Sequence, residues 1–199
     1  MPVPPRRKVW FIDTSALLSL ATDDGLRRAV HTELSTERRV LLDVVYDELQ
    51  GLAEYGDPGP AALATAALRQ LEWLGEVVDT SQLVEPTRVL EIQDILRSGR
   101  SLRHQTEHWA ESVIMAMTER LQHTDSYLLC EDYNARIEST AHGITPFSTH
   151  KLLSEMVRGG RLTAERAATF ADAIKAAERG SDYTPQDFAT GRLGRVGRP

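Results

Sequence analysis

The run Val9-Trp10-Phe11-Ile12 leads straight into Asp13, Thr14 and Ser15. Four consecutive apolar residues leave no polar face for water, so the run reads as a strand buried on both sides, as strands are inside a parallel sheet. That reading constrains everything around it. A sheet covered on both faces needs helices over each, and parallel strands need crossover connections. It also places Asp13 in the crevice at the carboxyl ends of the strands, where open α/β sheets hold ligands. A bare carboxylate is costly there, so Asp13 calls for a cation or a basic partner.

The remaining sequence alternates as such a sheet requires. Val40-Leu41-Leu42 and Tyr127-Leu128-Leu129-Cys130 read as further buried strands, Val77-Val78 as a weaker one and Ile144-Thr145 as a brief last one. Helices are expected over Leu26–Glu37, Asp43–Tyr55, Ala61–Trp73, Pro86–Arg97, Thr106–Leu121 and Asn134–His142, with a loop at Gly56–Pro60. Gly143 suits the position just past a helix end. Two more helices follow, about Ser148–Arg158 and Thr163–Arg179, separated by Gly159-Gly160. The expected fold is α/β, a three-layer α/β/α arrangement around a central parallel sheet with extra C-terminal helices. A single domain spans 7–180. Residues 181–199 carry Arg192, Arg195 and Arg198 with few apolar groups and read as a flexible basic tail.

Composition narrows the function classes. The one cysteine, Cys130, excludes an intrachain disulfide and fits a reducing cytosol. The net charge of −6 excludes bulk attraction to polyanions, so contact with nucleic acid needs a local basic patch or metal ions. Arg6-Arg7-Lys8 before Val9 imitates a signal peptide, with Ser19-Leu20-Ala21 as a mock cleavage site. Asp13 interrupts that apolar region, which is also too short to span a bilayer. A cytoplasmic protein with no membrane partner is expected.

Asp13 has company. Glu48 lies early in the helix after the second strand. Glu111 lies at the edge of a core stripe formed by Ala110, Val113, Ile114, Met117 and Leu121. Asp132 follows the third strand directly. One sheet can bring these four acids together at its carboxyl end. Such a cluster suits metal-assisted phosphoryl transfer, because Mg²⁺ and Mn²⁺ take oxygen ligands and activate water for in-line displacement. Each acid also has a plainer role: Glu48 offsetting a helix dipole, Glu111 on a solvated flank, Asp132 as an N-cap.

In their order along the chain, Phe11-Ile12-Asp13-Thr14-Ser15-Ala16-Leu17, Val45-Tyr46-Asp47-Glu48-Leu49, Ala110-Glu111-Ser112-Val113-Ile114 and Leu128-Leu129-Cys130-Glu131-Asp132-Tyr133-Asn134-Ala135-Arg136 are similar to the motifs of another group of proteins. With Ala141-His142-Gly143-Ile144 as the return to the last strand, the set resembles the PIN-domain ribonucleases, including toxin subunits of bacterial toxin–antitoxin pairs. The resemblance covers about Val9 to Lys151. It implies a parallel sheet with helices on both sides and an acidic pocket at the strand ends. Asp13, Glu48, Glu111 and Asp132 then match the metal-binding and catalytic quartet, with Mg²⁺ or Mn²⁺ as cofactor. Ser15 matches a hydroxyl that supports the first aspartate. The implied activity is hydrolysis of RNA phosphodiesters by a metal-activated water, and the implied partners are RNA, an antitoxin protein and a second copy in a homodimer. Two departures stand out. Glu111 replaces a position that is often Asp, and Glu131-Asp132 stands where relatives often carry paired aspartates. Either Glu131 or Glu107, one turn before Glu111, is a spare ligand.

Three rivals compete. His104-Gln105-Thr106-Glu107-His108 matches the H-x-x-E-H pattern of one zinc-peptidase class, though no third-ligand helix follows. A PIN-like module that binds RNA or protein without cleaving is the second. A HAD-type phosphatase would want an aspartate where Ser15 stands. For RNA contact, Arg136 is the favoured cation, ahead of Arg6, Arg7 and Lys8 at the far end of the first strand.

Overall fold

Val9, Trp10, Phe11 and Ile12 are buried because their strand, β1 (Arg7–Ile12), is the middle one of the sheet. The structure, a computed structural model, describes residues 7–97, 107–121 and 124–193. Within them β1 is followed by α1 (Thr14–Leu20), α2 (Asp24–Glu33), β2 (Arg38–Leu42), α3 (Asp43–Tyr55) and α4 (Pro58–Leu68). A 3₁₀ turn (Leu71–Leu74), β3 (Val77–Val78), α5 (Pro86–Arg97), α6 (Trp109–Thr118), β4 (Thr124–Leu129) and α7 (Tyr133–Ala141) come next. β5 (Thr145–Phe147), α8 (Thr149–Arg158), α9 (Ala164–Ala176) and α10 (Pro185–Thr190) complete the described chain.

The five strands are all parallel, in the order β3-β2-β1-β4-β5. The ten α-helices among the described residues flank the sheet, giving the expected three-layer α/β/α fold. From β1 the chain crosses to β2 and β3 on one side, and β4 and β5 lie on the other. The gap between β1 and β4 is therefore the topological switch point, where connections leave in opposite directions and open a crevice. No helix among the described residues is long and apolar enough to cross a membrane.

Several boundaries differ from the sequence reading for local reasons. The Asp23-Asp24-Gly25 break is a helix start: the Asp23 side chain accepts from the Leu26 N–H at 2.8 Å. The Gly56–Pro60 loop shrinks to Gly56-Asp57, since Pro58 and Pro60 sit in the first turn of α4, where a missing N–H costs nothing. α6 starts only at Trp109, because His108 takes a left-handed conformation with φ 60°. The last strand extends through Phe147, whose ring lies tilted against Trp10 with centroids 5.2 Å apart.

The clearest difference lies in the expected tail. Residues 185–190 form α10, closed at its start by a reciprocal capping box between Thr184 and Asp187. Phe188 is fully buried, and Tyr183 is nearly so, with their rings 5.7 Å apart. The helix packs on α8 and α9, and the Ser154 hydroxyl donates to the Phe188 carbonyl at 3.0 Å. Two aromatic side chains suffice to fix a segment whose overall composition is polar. Arg195 and Arg198 lie outside the described residues. Phe188→Ala should therefore cost about 3 kcal/mol or more in urea unfolding, as expected for emptying a buried aromatic site; a cost under about 0.5 kcal/mol would show that α10 is only loosely attached.

Candidate metal centre

The ladder between β1 and β4 continues one step past β1, where the Asp13 N–H donates to the Leu129 carbonyl at 2.9 Å, and the ladder between β4 and β5 continues one step past β4, where the Cys130 N–H donates to the Phe147 carbonyl at 2.9 Å. Asp13 and Cys130 are thereby set side by side at the switch point. Asp13 is also the N-cap of α1, its carboxylate accepting from the Ser15 N–H at 3.0 Å and the Ser15 hydroxyl at 2.5 Å. The same hydroxyl accepts from the Glu131 N–H at 2.9 Å, tying the ends of β1 and β4 together.

Glu111 enters from the first turn of α6, where the helix dipole favours a negative charge. It does not directly follow a strand, yet it is buried beside Asp13. A carboxylate oxygen of Asp13, one of Glu111 and the Cys130 sulfur all lie within 4.8 Å of one another. Glu48, from α3, sits at the mouth of this group. Its Oε2 accepts from the Thr14 hydroxyl at 2.7 Å, and its charge acts on Asp13. The first-turn position of α3 belongs instead to Asp43, which accepts from the Thr80 N–H and hydroxyl.

Asp132 stands at the rim. It caps α7, accepting from the Ala135 N–H at 2.7 Å, and its charge is felt by His108. Its neighbour Glu131 turns the other way and accepts from the Thr149 N–H at 2.9 Å, at the start of α8. The pair thus divides its work: Glu131 anchors the start of α8, and Asp132 caps α7 with its charge reaching His108. Glu107 precedes α6, with its carboxylate 3.9 Å from His108 Nε2. His108, outside the helix, lacks the i, i+4 helical register that the zinc-peptidase pattern requires, and His104 lies outside the described residues.

The electrostatics follow from this crowding. Burial, then the charges of Glu111 and Glu48, push the Asp13 carboxyl well above the ordinary carboxylate range, against the two hydrogen bonds from Ser15. Burial raises Glu48 as well, opposed by the Thr14 hydroxyl, although its solvent access at the mouth screens the effect. Burial, with Asp13 and Glu111 adding to it, raises the Cys130 thiol. His108 Nδ1 lies 3.6 Å from Glu111, and that carboxylate raises the imidazole so that it holds its proton more firmly. Behind the site, Arg179 from beyond α9 donates to the Ser15 carbonyl at 3.0 Å.

Of the sequence-derived quartet, Asp13 and Glu111 are brought together, Glu48 adjoins them and Asp132 borders them. Thr14, Cys130, His108 and Arg179 complete the site without having been singled out for it. Arg136 spends one nitrogen on the carbonyls of Cys130 at 2.8 Å and Glu131 at 2.6 Å, so it fixes the wall of the pocket. Arg7 and Lys8 open β1 at the other end of the sheet, and Arg6 lies outside the described residues.

The raised Asp13 carboxyl has a signed consequence. The native state binds this proton more tightly than the unfolded chain, so stability is greatest below the ordinary pKa of about 4 and falls as pH rises through the elevated value. In chelator, the melting temperature should drop from about pH 4 toward pH 7, and Asp13→Asn, which keeps the cap, should flatten that slope. His108 acts in the same sense at higher pH and remains in the variant. Identical slopes in both proteins would show that Asp13 is not held as the geometry implies.

The chain matches no family model, no curated protein and no solved structure, so its functional reading rests on the geometry of this site and on the ordered motifs that form it.

Proposed function

We propose that the protein is a metal-dependent ribonuclease of PIN type, acting on RNA phosphodiesters. The observation that carries the reading is the gathering of Asp13, Glu111 and Glu48 with Cys130 at the switch point of a parallel sheet. Buried acids this close repel one another, and a divalent cation removes the penalty that burial and mutual charge impose. The donor set fits such an ion. Its carboxylates suit Mg²⁺ and Mn²⁺, and the Cys130 sulfur leans the choice toward the softer Mn²⁺. When bound, the cation supplies charge neutralisation for the phosphodiester and activation of water.

The chain's own residues prepare the pocket. Ser15 fixes the Asp13 carboxylate with two hydrogen bonds, and Thr14 fixes Glu48 with one. Asp13 and Glu111 would hold the cation, with Glu48 and Asp132 as further carboxylates for it. His108 lies 3.6 Å from Glu111, which raises its hold on a proton, and the protonated imidazole would offset part of the negative charge that an RNA phosphate meets on approach. A toxin role, with a small antitoxin as partner in the cytoplasm, follows from the family resemblance and is tested by co-purification with the product of the neighbouring gene.

The direct test is cleavage of a labelled single-stranded RNA with Mn²⁺ or Mg²⁺. Asp13→Asn and Glu111→Gln should each lose about a hundredfold or more in rate. The same ions should raise the melting temperature of the wild type and not of Asp13→Asn. An Asp13→Asn protein that cuts as fast as the wild type at equal purity sinks the reading. Cys130→Ser exchanges a soft donor for a hard one, so it should narrow the difference between the melting shifts given by Mn²⁺ and Mg²⁺; an unchanged difference would remove Cys130 from the coordination sphere.

A further inference from the structure

Residues 130–133 serve two sites at once. Cys130 belongs to the acidic group, while Tyr133 lines a neighbouring cavity of about 350 Å³. That volume lies in the range of small-ligand sites. Arg136 stands between them, lining the cavity and holding the Cys130 and Glu131 carbonyls. Lys151 and Arg158, two turns apart on one side of α8, supply two more cations. Among the described lining residues the one carboxylate is Glu155, which pairs with Arg158 at 3.0 Å. In a chain of net charge −6, this excess of positive charge beside an acidic pocket is a local inversion.

The side chains have donors to spare. Lys151 gives one of its three protons to the Pro146 carbonyl at 2.8 Å and rests over the Phe147 ring at 4.3 Å. Burial lowers its hold on the charge, in part against Glu155, and an anion in the cavity would restore it. Buried Tyr183, also in the lining, leaves its hydroxyl without a hydrogen-bond partner among the described residues. Tyr133 is 49% exposed, directly follows Asp132 and lies 6.0 Å from the Arg136 guanidinium. An exposed ring next to cations is a stacking platform for an unpaired base.

We propose that this cavity is a nucleotide subsite for single-stranded RNA, with Lys151 and Arg158 holding one phosphate and Tyr133 stacking on the adjoining base, so that the neighbouring phosphodiester reaches the acidic pocket. The inference rests on the ribonuclease reading for its ligand. It explains how an acidic protein retains a polyanion: the strand is held by a basic cavity one short step along the chain from the carboxylates. An acidic peptide is the alternative occupant of three cations. The exposed Tyr133 and the shared wall with the acidic group favour RNA.

The test is fluorescence anisotropy of a labelled single-stranded RNA on the full chain, in chelator, over a salt titration. Lys151→Ala and Arg158→Ala should each weaken binding several-fold, and the double variant should reduce the slope of log affinity against log salt by about 0.7, the value of one phosphate contact on a single strand. Tyr133→Ala should weaken binding about tenfold and leave the slope unchanged. All of these variants should keep the Mn²⁺-induced melting shift. Lys151→Met and Arg158→Gln, which retain the packed stems, repeat the measurement if an alanine variant loses its melting transition. Unchanged affinity and slope in the Lys151 and Arg158 variants overturn the subsite, as does a wild type that binds poly-glutamate and not RNA. RNA held through the cavity by a protein that cleaves nothing upholds the subsite and removes the ribonuclease reading alone.

Discussion

The contact on which the rest of the molecule depends is the pairing of β1 with β4, extended by the bond from Asp13 to the Leu129 carbonyl. It joins segments more than a hundred residues apart, as the Ser15 to Glu131 bond beside it records with a separation of 116. Closing so long a loop is entropically costly, and the four buried residues of β1 offset that cost through apolar burial. Once the pairing exists, little freedom remains at its carboxyl end. Asp13 must cap α1, Cys130 must lie beside it, and Asp132 must begin α7. The site is the terminus of the ladder.

That terminus concentrates charge where the fold is driest. Asp13 and Glu111 are buried together; among the described residues Ser15 and the Arg179 charge moderate Asp13, and His108 moderates Glu111. His108 does so from a left-handed backbone conformation, which costs a non-glycine residue of order 1 kcal/mol and ends the reach of α6 at Trp109. Stability is sacrificed at this point in two currencies, electrostatic and conformational. Strain and like charge are thus collected at one crevice, at the carboxyl end of the sheet.

Much of this was legible in one dimension. The strands announced themselves where their apolar residues are contiguous, at Val9–Ile12, Val40–Leu42 and Leu128-Leu129. Their charged beginnings, Arg7-Lys8 and Arg38-Arg39, were hidden because the amino ends of these strands face water. Asp13, Glu48 and Glu111 are marked by ordered motifs, but the different partners of Glu131 and Asp132 show only in the backbone, since adjacent residues leaving a strand point to opposite sides. Cys130 could not be found as a site residue by spacing, because only the ladder shows which face it takes. α10 escaped because average composition outweighed Tyr183 and Phe188, although Thr184-Pro185-Gln186-Asp187 carries a helix-start pattern that local reading recovers.

The bond from Arg179 to the Ser15 carbonyl has a consequence in time. Arg179 is made 164 residues after Ser15. At ordinary rates of translation the interval is roughly ten to thirty seconds. Through that interval the first aspartate and its supporting serine exist without the guanidinium that braces them, and for most of it without β4 as well. The acids of the pocket are all present once Asp132 is made, yet they stand without their brace until α9 and Arg179 have followed, so the order of synthesis separates the gathering of the charge from its support.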